Sequence, residues 1–295
     1  MKEEEFYISE SEITFSMKLV RFYFQRVGWI APKYTAKLFW KLFTKPRKRI
    51  QSPSQLNFLA TAKTTSHFSI EYNAPFTIHK FGHGKTKILL CHGWEGRTTD
   101  FKNIIQELEK NQDCQIWSID FPGHGVSPHH VAHLPIFIDV IKSVVGIESS
   151  ISVFIGHSLG AASLAMTVPE LPDNFHDKKI IMLGLHPVPS EFFEQYKKVT
   201  KISEKQYMKC VTYAEAKVGK SLTHYDCNQH TEIYNRNQIL LVHDTFDKII
   251  RQDRILELEK KIQSANSFFG DHGGHFKHYK HPEAIAQIDS FIRDI

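Results

Sequence analysis

The chain has 295 residues, 41% of them hydrophobic and 23% charged, with a formal net charge of +5. That length and balance suit a packed core and exclude collagen, coiled coil and disordered chains. The excess charge is local: residues 13–70 hold 11 Lys and Arg and no Asp or Glu, whereas from Glu71 onward 25 basic residues face 27 acidic ones, which argues against a nucleic-acid binder with basic charge spread over its body.

The first twelve residues carry one Lys and five Glu, unlike the basic start and apolar stretch of a secretory signal, and no run of 18 apolar residues occurs. Cys91, Cys114, Cys210 and Cys227 lack the short paired spacings of a disulfide framework or a zinc site. A cytoplasmic protein is expected, either soluble or peripheral to a membrane. Leu19, Phe22 and Tyr23, then Leu38, Phe39, Leu42 and Phe43, follow helical spacing, so residues 1–65 read as a basic, aromatic-rich helical segment packed on a main domain of residues 66–295. For residues 13–50 a second reading is a basic amphipathic surface that contacts anionic lipid; nucleic acid is not expected as a partner.

Two short strands are expected at 67–72 and 76–80, joined by Asn73-Ala74-Pro75. Short apolar runs then recur at 88–91, 116–119, 151–155, 180–183 and 239–242, with a weaker one at 267–269. Helix-length stretches separate them at 100–110, 134–145, 159–168 and 254–262. Apolar runs alternating with helices fit an α/β architecture, a mostly parallel central sheet buried by helices on both faces. About fifty residues from His186 to Asn237 break this rhythm. A structureless loop of that length is unusual in a compact domain, so a helical insertion at about 187–236, a lid, is expected before the penultimate strand.

The strongest chemical signal is Gly156-His157-Ser158-Leu159-Gly160, directly between the apolar run ISVFI and the helical run AASLAM. A serine projected from a sharp strand-to-helix turn needs small residues two positions either side, and the helix start beneath it favours developing negative charge. Cys91-His92-Gly93-Trp94-Glu95-Gly96-Arg97 follows the run KILLC in the place where a second oxyanion donor would sit. The expected donors are the backbone N–H groups of Trp94 and Leu159. Gly93 permits the approach and His92 braces the loop rather than carrying protons. His157, Gly156 and Gly160 complete the supporting set.

With Asp120-Phe121-Pro122-Gly123-His124-Gly125-Val126-Ser127 as a third motif, these residues resemble the α/β-hydrolase superfamily from about Phe76 to the C-terminus. The HGWEGR loop with Phe101 is also similar to a bacterial subgroup of uncharacterised hydrolases that begin with a basic helical segment. The resemblance implies the α/β-hydrolase fold and a triad in the order nucleophile, acid, histidine. The acid then falls at Asp247, with Asp244 as competitor and turn cap. The base falls at His275 behind Gly273-Gly274, with His272 as the alternative and His278 and His281 solvated. Four His in this short stretch also have the look of a metal site, but no acidic or Cys partners stand at suitable spacing, and neither metal nor cofactor is expected.

These roles imply a serine hydrolase cleaving a carboxylic ester, or an acyl thioester, through an acyl-enzyme on Ser158. Trp94, Phe121, Phe137, Phe192, Phe193, Tyr196 and Tyr213 suggest an apolar pocket for a small acyl-ester substrate. The rival reading is a non-catalytic protein of the same fold that senses a ligand or binds a partner.

Overall fold

A computed structural model describes residues 14–172 and 176–293. The first thirteen residues of the expected 1–65 segment, and Ile13 of the basic stretch, lie outside the described residues. The chain forms two compact units, Met1–Lys45 with Val188–Asp226, and Pro46–Pro187 with Cys227–Ile295.

The larger unit is built on a sheet of eight strands among the described residues: β1 (Lys63–Phe68), β2 (Pro75–Gly82), β3 (Thr86–Cys91), β4 (Cys114–Asp120), β5 (Ile151–His157), β6 (Lys179–Leu183), β7 (Gln238–Asp244) and β8 (Ala265–Gly270). Their order is β1-β2-β4-β3-β5-β6-β7-β8. β1 and β2 pair antiparallel, β2 meets β4 antiparallel, and every pairing from β4 through β8 is parallel. Each apolar run read from the sequence is one of these strands. The first strand lies earlier than its expected span of 67–72. It is the edge strand, with its residues alternating between exposed and half-buried, so it has little apolar pattern to read.

Alternation of side chains across the pleat divides the core. Ile88 and Leu90 of β3 join Ile116, Val153, Ile155, Ile181 and Leu183 under the helices Lys102–Leu108 and Pro282–Arg293. Leu89 and Cys91 face the other way, with Trp117, Ile119 and Phe154, under the helices Leu134–Ile147 and Leu159–Thr167. Both faces are therefore covered, as a parallel sheet requires.

The smaller unit joins the N-terminal helices Phe15–Phe22 and Pro32–Phe43 to two helices of the insertion, Glu191–Thr200 and Glu204–Val218. Ser203 and Gln206 form a capping box that starts the last of these, and Gly219 in the left-handed conformation ends it. Phe24 and Phe39 are fully buried. Phe39 packs edge-on against Phe193 and Tyr196, each with ring centroids 4.9 Å apart, and Phe43 against Phe193 at 4.8 Å. Arg21 Nε donates to the Val199 carbonyl at 2.7 Å and Gln206 Nε2 to that of Phe24 at 3.2 Å.

The compact units are drawn differently from the expected division at residue 65. Residues 46–65 belong with the sheet, where Phe58 stacks on Phe81. Of the expected insertion at 187–236, only Val188–Asp226 joins the N-terminal helices; the short helix Thr231–Tyr234 stays with the sheet, where Tyr234 Oη donates to the Ala165 carbonyl at 3.0 Å. Among the described residues no helix is long and apolar enough to cross a membrane.

Candidate active site

Ser158 stands between β5 and the helix Leu159–Thr167 with φ +52° and ψ −117°, a backbone conformation that L-residues rarely adopt. The flanking glycines explain how the turn is made. A Cβ on Gly156 would lie 2.6 Å from Ala161 Cα, and one on Gly160 would lie 2.1 Å from the Cys91 carbonyl oxygen of β3. The two positions thus clear different obstacles: Gly156 lets the turn close on its own helix, and Gly160 lets that helix sit against the neighbouring strand. Gly160→Ala is expected to cost about 1–3 kcal/mol, since backbone rather than a side chain must yield; a thermal melt of the variant measures it, and an unchanged melting temperature would contradict this packing.

The loop after β3 approaches the serine closely. A Cβ on Gly93 would stand 2.9 Å from Ser158 Cβ. His92 is 1% exposed; its Nδ1–H donates to the Gly93 carbonyl at 2.7 Å and its Nε2 accepts from the Phe121 N–H at 3.2 Å, so the ring is neutral and braces the loop. Burial holds its pKa below the ordinary histidine value. The amides of Trp94 and Leu159 donate to no protein acceptor among the described residues, and that of Leu159 opens the helix beside Ser158.

Asp120, with no exposed surface, holds this neighbourhood together, a role the motif alone does not disclose. Its Oδ1 accepts from the Thr98 N–H at 2.7 Å, and its Oδ2 from the Val126 N–H at 2.8 Å and from His79 Nε2 at 3.2 Å. Burial works against its ionisation, but these bonds, that from His79 foremost, outweigh it and keep the carboxyl below its usual value.

At the C-terminal ends of β7 and β8 the two aspartates have separate tasks. Asp244 Oδ1 accepts from the Phe246 N–H at 2.7 Å, and its Oδ2 from the His272 and Gly274 N–H groups at 2.6 and 2.9 Å. It ties the two loops together through both of its oxygens. Asp247 Oδ1 accepts from the Ile249 and Ile250 N–H groups at 2.7 and 2.9 Å, leaving Oδ2 to accept from His275 Nδ1 at 2.7 Å. His157 Nε2–H donates to the His275 carbonyl at 2.8 Å, so the residue preceding the serine anchors the loop that carries this histidine. No hydrogen bond joins Ser158 Oγ to His275 among the described residues; such links are often loose without substrate.

His278 departs from the expectation that it is solvated: it is fully buried, its Nδ1 3.2 Å from that of His272 and its Nε2 3.8 Å from Asp247 Oδ2. The short turn His278–Lys280 tucks it behind the His275–Asp247 pair. His281 is half-buried. Among the described residues Asp247, His275 and His278 bring one ligand atom each within 4.8 Å of one another. The 2.7 Å contact between His275 and Asp247 is a hydrogen bond, shorter than the separation of two atoms that each sit about 2.0–2.2 Å from a shared ion in tetrahedral coordination.

Part of the basic stretch reaches this site. Glu95, with φ +55° and a side chain only 8% exposed, accepts from Arg47 through its backbone N–H at 3.0 Å, Nε at 2.9 Å and Nη2 at 2.9 Å; Arg49 stands 3.7 Å away. Arg97 donates to the carbonyls of Arg49 and Ile50. The HGWEGR loop is thus strapped to residues 47–50, a long-range contact with no local sequence signature. Phe121 and Phe137, expected in a substrate pocket, are instead fully buried core residues stacked at 3.9 Å, and Phe193 is core of the smaller unit.

Residues 88–193 match a family model described as the alpha/beta hydrolase family. A serine hydrolase-like protein of Dictyostelium discoideum is 27% identical over 118 residues, 38% of this chain and 32% of that protein. One from Homo sapiens is 30% identical over 104 residues, 32% of this chain and 48% of that protein. The chain therefore spans about a third to a half of the length of these relatives. The structure of an esterase from Pyrococcus furiosus aligns with a TM-score of 0.61 at 13% identity, over 85% of this chain and 97% of that one. The fold is the α/β-hydrolase fold.

Proposed function

We propose that this α/β-hydrolase-superfamily protein is a serine hydrolase that cleaves a carboxylic ester, or an acyl thioester, through an acyl-enzyme on Ser158. The observation that carries the reading is the 2.7 Å bond from His275 Nδ1 to Asp247 Oδ2, at the same end of the sheet as the strained Ser158 turn. With its Nδ1 proton held by Asp247, the imidazole presents an unprotonated Nε2 as base. His275 takes the hydroxyl proton as Ser158 Oγ attacks the acyl carbon, then returns it to the leaving alkoxide or thiolate. Water, deprotonated by the same nitrogen, releases the carboxylic acid and restores the serine. The amides of Trp94 and Leu159 receive the negative charge that develops on the carbonyl oxygen. A carboxylate fixed behind the imidazole and a serine nucleophile are the groups this two-step acyl transfer needs.

Turnover of p-nitrophenyl esters from acetyl to long-chain acyl, beside the corresponding acyl thioesters, tests the reading and ranks the substrates. Covalent labelling by a fluorophosphonate is expected for the wild type and lost in Ser158→Ala. Absence of both turnover and labelling would leave a non-catalytic protein of this fold.

The strap at Glu95 makes a further prediction. Because it fixes the loop carrying the Trp94 amide, Arg47→Ala is expected to lower kcat by about tenfold with little change in KM. Glu95→Gln should act alike, and the double variant should be no worse than either single one, as a shared interaction requires. Additive losses in that double-mutant cycle would mean the two residues act separately.

A further inference from the structure

We infer that the N-terminal helices carry a docking surface for a bilayer rich in anionic lipid. The smaller unit has buried one set of N-terminal aromatics, Phe24 and Phe39, and left another outside. The helix Phe15–Phe22 contains no buried residue. Its Phe15, Leu19 and Phe22, at the i, i+4, i+7 spacing of a single face, are 77%, 55% and 61% exposed. The connection beyond it exposes Trp29 and Ile30 at 69% and 66%, and Tyr34 is 73% exposed at the start of the next helix. The indole N–H of Trp29 is satisfied by its own chain, donating to the Arg26 carbonyl at 3.0 Å, so the ring needs no polar partner to leave water.

Charge says what covers this surface. Lys18, Arg26, Lys33, Lys37 and Lys41 are all exposed among these apolar side chains, with Lys33, Lys37 and Lys41 in register along one side of the helix Pro32–Phe43. No Asp or Glu occurs from residue 13 to residue 70. Aromatic and aliphatic side chains interleaved with Lys and Arg fit the boundary between acyl chains and anionic headgroups. A nucleic-acid groove would use the cations but has no place for Phe15, Leu19 and Ile30.

Co-sedimentation of the full chain with phosphatidylcholine vesicles, with and without phosphatidylserine, tests the proposal. Pelleting is expected with the phosphatidylserine vesicles, weak with phosphatidylcholine alone, and reduced as salt is raised. Trp29→Ala with Ile30→Ala should reduce pelleting several-fold. Lys33→Glu, Lys37→Glu and Lys41→Glu together should abolish the preference for phosphatidylserine. Both variants should keep wild-type circular dichroism, since every side chain changed is exposed. Failure to pellet with either vesicle, pelleting indifferent to headgroup charge and to both variants, or binding to duplex DNA in place of vesicles would each overturn it.

Discussion

Ser158→Ala is expected to lower kcat/KM for a p-nitrophenyl ester by about three to six orders of magnitude while leaving the fold as stable as before, or slightly more so. The loss follows from the chemistry: without Oγ there is no acyl-enzyme, and only the oxyanion amides and substrate binding remain to assist water. The stability half follows from the site. Ser158 is 8% exposed as a residue and its hydroxyl makes no protein hydrogen bond among the described residues, so its removal leaves no partner stranded. Alanine keeps the Cβ and hence the strain of φ +52°, a cost of about 1–3 kcal/mol already borne by the surrounding sheet and helix. Steady-state kinetics and a thermal melt on the same preparation separate the two claims. Activity retained in the variant would remove Ser158 from the mechanism, whereas activity lost together with the fold would show that the hydroxyl is structural.

The parts of this site legible in the sequence are those fixed by local geometry. Gly156-His157-Ser158-Leu159-Gly160 has one workable conformation between a buried strand and a helix, and the steric demands on its two glycines are those met in the fold. The choice between Asp247 and Asp244 is not local. It depends on how the loops after β7 and β8 close on one another, and there Asp244 spends Oδ2 on the His272 and Gly274 amides while Asp247 keeps its own for His275. His278 misled for a similar reason: in a run of histidines at every third residue it reads, with His281, as solvated, yet one short turn buries it. The basic stretch divides in two. Lys33, Lys37 and Lys41 are exposed, but Arg47 finds its partner forty-eight residues away at Glu95, which no periodicity announces.

Asp247→Asn provides a measure of what the carboxylate contributes. Asparagine keeps an oxygen for the Ile249 and Ile250 amides, so the turn after β7 is retained. What changes is the atom facing His275. An amide nitrogen there donates to Nδ1, which moves the imidazole proton to Nε2 and leaves no base toward Ser158; kcat is expected to fall by about three to four orders of magnitude. Stability changes too, with a defined pH dependence. Burial opposes ionisation of Asp247, but the bonds from His275 and the Ile250 amide overcome it and hold the carboxyl below the usual carboxylate range. A folded-state pKa below the unfolded value of about 3.9 stabilises the fold above that pH, and the contribution drains away as pH falls through it toward the folded value. Asparagine has no such group. The wild type is therefore expected to melt higher than Asp247→Asn at neutral pH, with the gap narrowing below about pH 4. A gap that stays constant down to acid pH would mean that the negative charge of Asp247 does not stabilise the fold, and that its bond to His275 serves the imidazole alone.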